Sequence, residues 1–426
     1  MNETTKKFIR EHLNDDVPTL ALKKAPVGID FSLALRQIEA RQLLQKKVPE
    51  WSQNDDLLFP ARLSIEQCSS EATARYKANL MQGHTFADLT GGLGIDTYYL
   101  SQGFRQTHYV ERQTELCDLA RHNFAALGVN VEVHNVTAED YLEHISKNIE
   151  GIDTLIPQPL SYRPRNEGVY LWAAPIGMTC LQNLDWIYLD PARRDANGRK
   201  TVCIGDCTPN VAEMQDLLLQ KVQRVMVKLS PMLDISKALA ELRCVSHVHV
   251  IAVNNECKEL VFIMERNFSG QPTVHCANLL TPQPTLVFTF GQEHDCQLHL
   301  TDEPRRYLYE PNAALMKAGA YKWVAEHYRV LKLHKNSHLY TSETLVADFP
   351  GRIFEVEAWA DYNKKVKSTL LADVDKANLA VRNFPLSVDE LRKALKMGEG
   401  GEVYLFGTTL RNGRKVVIKT KKSASF

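Results

Sequence analysis

Two hydrophobic rhythms divide the chain. Through the first 83 residues apolar positions recur every three or four residues, the spacing of one buried helix face. "FSLALRQIEARQLLQKK" (31–47) is the clearest such run. Pro60 opens a second helical stretch, "PARLSIEQCSSEATARYKANLMQG", which closes at Gly83. Short apolar runs then alternate with amphipathic ones. "TFADLT", "THYVE", "NVEVHNV", "DWIYLD" and "VQRVMVKLS" read as strands. "IDTYYLSQG", "QTELCDLARHNFAALG", residues 209–221 and "ISKALAELR" read as helices between them. Strand–helix alternation of this kind predicts an α/β fold, a parallel sheet with helices on both faces. "VHVIAV" and "LVFIMER", joined by the turn "NNECKE", predict a final antiparallel strand.

Two stretches break the rhythm. Residues 151–184 carry four prolines and no clean period, which marks an insertion. Between 271 and 340 only "PTLVFTF" reads as a strand and 311–330 as a helix. The pattern sharpens again with "RIFEVEAW", "KKVKSTLLADV", "NLAVRNF", a helix opened by the capping pair Ser387 and Glu390, "EVYLFGTTL" and "KVVIKTKK". That β-α-β-α-β-β order predicts a small ferredoxin-like unit. The expected domains are a helical segment at 1–59, an α/β domain at 60–268, a small α+β linker domain at 269–345 and the ferredoxin-like unit at 346–426.

Composition narrows the classes. Lys plus Arg and Asp plus Glu number 51 each in 426 residues, so the chain is not one that coats nucleic acid indiscriminately, although a local basic face is allowed. The polar start "MNETTKKFIREHL" and the lack of a long apolar run predict a cytoplasmic protein without signal peptide or membrane span. Nine scattered cysteines, with only C-x3-C at 203 and 207, are expected to be inert thiols, and no metal site is expected.

The chemistry concentrates at "FADLTGGLGIDT" (86–97), where Gly91, Gly92 and Gly94 lie between Asp88 and Asp96. No Lys-Ser or Lys-Thr follows, as a phosphate loop of the Walker type requires. A dinucleotide loop would need a third glycine where Thr97 stands, and two acids would repel a pyrophosphate. S-adenosylmethionine has no phosphate and carries a sulfonium and an ammonium, both positive, which suits acids beside a close-approaching backbone. Glu111, seventeen residues past Gly94 and ending the next strand, is placed to accept from two ribose hydroxyls. That spacing fits a nicotinamide dinucleotide equally well.

"DLTGGLGID" resembles the glycine motif D-x-G-x-G-x-G of the class I S-adenosylmethionine-dependent methyltransferases, with Thr90 in the first glycine position. The resemblance covers about 60–268 and implies their Rossmann-like seven-stranded sheet. It implies that Asp88, Thr90, Gly91, Gly92 and Gly94 line the cofactor, that Glu111 binds its ribose, and that Thr137 or Ala138 stands at the adenine. Ser69 or Ser70 would close over the methionine end. The fourth strand ends in "YLDPARRD", so Asp190 faces both cofactor and substrate and is the nearest general base. Arg193 and Arg194 follow where base-methylating members place a stacking aromatic, and would hold a base or phosphate. In "VKLSPML", Leu229-Ser230 stand where the 5-methyluridine enzymes have a nucleophilic cysteine, and Lys228 and Ser230 are expected to contact substrate; without a thiol, direct displacement at the methyl group remains.

The last seventy residues resemble the THUMP-like domain found at the C-terminus of some methyltransferases, over about 355–424. "RNGRKVVIKTKK" holds six basic residues and no acid, and Lys415 and Lys419 are expected to meet RNA phosphates. The expected function is methylation of RNA, tRNA or rRNA. The alternatives are a small-molecule or protein methyltransferase and a non-catalytic RNA- or nucleotide-binding protein.

Overall fold

A computed structural model of the protein describes residues 1–60, 62–150, 184–192 and 203–423. It resolves into two compact units, the first comprising Met1–Val245 and Phe262–Ser269, the second Ser246–Val261 and Gly270–Phe426.

The first unit is built on parallel strands β1 (Thr85–Asp88), β2 (Gln106–Val110), β3 (Glu132–His134), β4 (Trp186–Leu189) and β5 (Arg224–Leu229). They pair in the order β3-β2-β1-β4-β5. β1 and β4 are buried along their whole length, as the continuous apolar runs require of central strands in a doubly covered sheet. Two further strands, β6 (Val245–Val253) and β7 (Glu256–Glu265), complete the order 3-2-1-4-5-7-6. Asn254 and Asn255 connect them with φ of 48° and 65°, a two-residue hairpin turn that makes β7 run against β6, as expected.

The N-terminal helices pack into this unit. Trp51, Leu57, Phe59 and Ile65 share a buried cluster with Leu93, Ile95 and Tyr99 of the glycine loop and its helix. The single helix expected from Pro60 to Gly83 is two, Arg62–Gln67 and Glu71–Ala78. Ser70 ends the continuity: its side chain accepts from Thr73 N and caps the second helix. A helix at Ala138–Glu150, unread in the sequence, follows β3.

In the second unit β6 pairs in parallel with β8 (Thr273–Leu279), and β8 pairs antiparallel with β9 (Leu286–Thr289). A separate seven-stranded sheet contains β10 (Tyr307–Pro311), β11 (Leu331–Lys332), β12 (Tyr340–Ser342), β13 (Gly351–Asp361), β14 (Lys376–Arg382), β15 (Gly398–Thr409) and β16 (Lys415–Lys422). Its order is β11-β12-β10-β13-β16-β15-β14, with only β14 and β15 parallel. The helices Val366–Leu370 and Val388–Leu395 give the expected β-α-β-α-β-β order, and Ser387 and Glu390 form the expected capping box. The helix expected over 311–330 is broken into Ala313–Ala318 and Tyr321–His327 by Gly319, whose φ of 74° ends the first piece.

Candidate active site

The carboxyl ends of β1, β2 and β4 bring the expected residues together. Asp88 ends β1 and is buried. One of its oxygens accepts from Thr90 N at 2.9 Å, and the other accepts from Thr97 Oγ1 at 2.6 Å. Its carboxyl therefore organises the loop beneath any ligand. Burial pushes its pKa up to about 7, against the lowering effect of those hydrogen bonds.

The three glycines differ in what they do. A Cβ on Gly91 would meet the Tyr109 ring at 2.1 Å, and one on Gly94, at φ 84°, would meet Phe124 at 2.9 Å. These two are small because aromatic rings pack under them. Gly92 has φ 54° and open space, with nothing nearer to a Cβ than Thr90 O at 3.7 Å. It is the one of the three that leaves open space beside the loop. Tyr109 OH donates to its carbonyl at 2.6 Å, and its own N–H donates to Glu111 Oε2 at 3.1 Å. Glu111 also accepts from Gln113 N at 2.9 Å, so the ribose-binding candidate is held in place from both sides.

Thr90, the departure from the glycine motif, has a role that glycine could not fill. Its hydroxyl accepts from Asp190 N at 2.6 Å and so ties the end of β4 to the loop after β1.

Beneath this surface lies a buried ion network that spacing did not reveal. Asp96 Oδ2 accepts from Ser69 Oγ and Tyr188 OH, both at 2.7 Å. Lys77 Nζ stands 3.0 Å from Asp96 Oδ1 and is wholly buried. Lys228 Nζ is 3.7 Å from Asp96 Oδ2 and 2.5 Å from Asp190 Oδ2. Burial alone would raise the pKa of Asp96; the ammoniums of Lys77 and Lys228, with the two hydroxyls, outweigh it and hold the carboxyl below the usual range. Ser69 accepts from Lys77 at 2.9 Å and from Lys228 at 3.0 Å. It sits inside the network. Lys228 and Ser230, expected to contact substrate, are buried too, and Lys228 pairs with Asp190.

Thr137 accepts from Asp140 N at 3.1 Å and caps the helix Ala138–Glu150, in which Ala138 is buried. Arg193 and Arg194 lie outside the described residues, as does the insertion 151–184 apart from Leu184. In the second unit Lys415 is exposed, whereas Lys419 pairs with Asp373 at 2.9 Å and Lys421 with Glu357 at 2.5 Å.

The donor set fits a cationic ligand. Four carboxylates, Asp88, Asp96, Asp190 and Glu111, stand against two ammoniums, Lys77 and Lys228, under a loop opened by Gly92. No phosphate-binding lysine reaches the loop among the described residues.

Strand order and strand-end acids together define the class I methyltransferase fold, whose cofactor is S-adenosylmethionine. The chain is 34% identical to the "putative methyltransferase" of Porphyromonas gingivalis W83, covering 99% of this chain and 98% of that one with a TM-score of 0.81. It belongs to the family of that protein. Residues 307–350 match a ferredoxin-like domain family and residues 351–422 a THUMP domain-like family. An rRNA methylase from Streptococcus thermophilus is 11% identical, with 46% of this chain and 93% of that one covered and a TM-score of 0.26. An O-methyltransferase from Bacillus cereus is 12% identical, with 52% and 99% covered and a TM-score of 0.31. These two likenesses are too weak to bear on substrate. No curated protein matches the chain. No helix among the described residues is long and apolar enough to cross a membrane.

Proposed function

We propose that the protein transfers the methyl group of S-adenosylmethionine to RNA, tRNA or rRNA, by direct displacement. The observation that carries this reading is the joining, in one chain, of the acid-lined strand-end site to a THUMP domain-like unit at 351–422. S-adenosylmethionine supplies an electrophilic methyl group on a sulfonium. Gly92 leaves room for it, Glu111 binds its ribose, and Asp88 fixes the loop; Thr90 and Thr137 serve through the backbone they organise. Asp190, half of an ion pair and about a quarter exposed, accepts a hydrogen bond from the incoming nucleophile. Arg193 and Arg194 follow it in sequence and grip the base or its phosphate. Lys415 and Arg411 offer exposed charge for the RNA backbone.

The deciding experiment incubates the protein and labelled cofactor with RNA from cells lacking this gene, followed by nucleoside mass spectrometry. One modified nucleoside absent from the untreated RNA supports the reading. Filter binding across salt concentrations should show affinity falling as salt rises. No RNA affinity at low salt would overturn the RNA substrate. The internal pairing of Lys419, Lys421 and Arg414 with Asp373, Glu357 and Asp361 favours a second reading, a small-molecule or protein methyltransferase, because it removes three cations from the expected basic face.

A further inference from the structure

On the sheet edge formed by β2 and β3, three metal-ligating side chains converge. His108 and Glu132 are register partners, and His134 follows two residues along β3, on the same face. His108 Nδ1 and His134 Nε2 are 3.0 Å apart, and each stands 3.5 Å from an oxygen of Glu132. Ligands around a tetrahedral zinc ion at about 2.0–2.1 Å are separated by about 3.3 Å, the bond length times the tetrahedral edge factor. One ligand atom from each of the three residues lies within 4.8 Å of the other two, and the nearest approaches, 3.0 Å between the imidazoles and 3.5 Å from each imidazole to a different oxygen of Glu132, are close to the ligand separations around a tetrahedral zinc ion.

The surroundings agree. The ring of Tyr141 packs against both imidazoles, its centroid 5.0 Å from that of His134 and 6.1 Å from that of His108. Its hydroxyl is buried without a hydrogen-bond partner. Two imidazoles and one carboxylate suit a late first-row divalent cation better than magnesium or calcium.

We propose that His108, Glu132 and His134 bind a zinc-class divalent cation that fastens the three-residue edge strand β3 to β2. The fourth position would be filled by water. Tyr109, on the other face of β2, supports the glycine loop, and the backbone carbonyl of His134 accepts from Glu111 N at 3.1 Å.

The test uses the full chain, stripped with chelator and titrated with zinc against a chromophoric competitor, then with cobalt. One zinc per chain is expected, with a visible cobalt spectrum of four-coordinate intensity and a higher melting temperature in zinc. His134→Ala should weaken zinc by at least about a hundredfold and abolish the cobalt bands. Glu132→Ala, at an exposed position, should weaken zinc by at least about tenfold. S-adenosylhomocysteine binding should be unchanged in that variant, which separates this site from the cofactor reading. Absence of stoichiometric zinc, a weak six-coordinate cobalt spectrum, or wild-type affinity in Glu132→Ala would each overturn the proposal and leave a plain imidazole–imidazole hydrogen bond.

Discussion

Lys228 Nζ lies 2.5 Å from Asp190 Oδ2 and 3.7 Å from Asp96 Oδ2, so one buried ammonium joins the end of β4 to the helix that follows the glycine loop. Removing it leaves two carboxylates short of a counter-charge. Lys228→Met should cost about 3–5 kcal/mol of folding stability, the usual effect of breaking one half of a buried pair. Adding Asp190→Asn to that variant should recover part of the loss. Urea denaturation of the two singles and the double measures the coupling; additive losses would mean that the pair is not energetically linked.

Gly91 and Gly92 should fail in different ways. Gly91→Ala forces a methyl into the Tyr109 ring and should lower stability by about 1–3 kcal/mol. Gly92→Val strains a φ of 54° by roughly 1–2 kcal/mol and fills the open side of the loop. It should lose S-adenosylhomocysteine binding by more than its melting temperature suggests. Calorimetric titration and thermal melts of both variants decide it, and the opposite pattern would place the ligand elsewhere.

Glu111→Ala removes the carboxylate that accepts from Gly92 N and Gln113 N, and with it the proposed ribose contact. S-adenosylhomocysteine affinity should fall by roughly 2–4 kcal/mol, two charge-assisted hydrogen bonds. Wild-type affinity in this variant would remove the ribose assignment. Tight binding of NAD by the wild type would reopen the nicotinamide reading.

Asp88 gives a pH signature. Its folded pKa is raised to about 7, above an unfolded value of about 3.9, so the folded state holds the proton more tightly. That contribution is fully present below pH of about 4 and is lost as pH rises through about 7, with a slope of at most about 1.4 kcal/mol per pH unit. Asp88→Asn should flatten the fall in stability between pH 5 and 7. Asp96 has the opposite sign: its depressed pKa stabilises the fold above pH of about 4, and the benefit is lost in stronger acid. Urea midpoints across pH, wild type against Asp88→Asn, test the assignment; identical slopes would refute it.

What the sequence showed and what it hid follow from range. β1, β4 and β5 were legible because buried parallel strands are unbroken apolar runs. β8 was not, because "TVHCANL" mixes histidine and asparagine into its run. The position of Glu111 follows from a strand end and a loop length, both local. Lys77 is different: nothing in the spacing of its helix marks it for burial, and only packing brings its ammonium to Asp96. The same holds for His108 and His134, 26 residues apart, which meet because parallel pairing puts their strands in register. Lys419, read as a free basic residue, is taken by Asp373, whose approach spacing could not foresee.

The helix Glu71–Ala78 precedes every recognisable methyltransferase strand, yet it delivers Lys77 to the floor of the site. Anyone trimming this protein to a minimal catalytic fragment would cut just ahead of the glycine strand at Thr85, and would discard a counter-ion along with the helices. In a genetic screen, lesions at Lys77 or in the helix that carries it would then present as losses of catalysis, although Lys77 acts through Asp96.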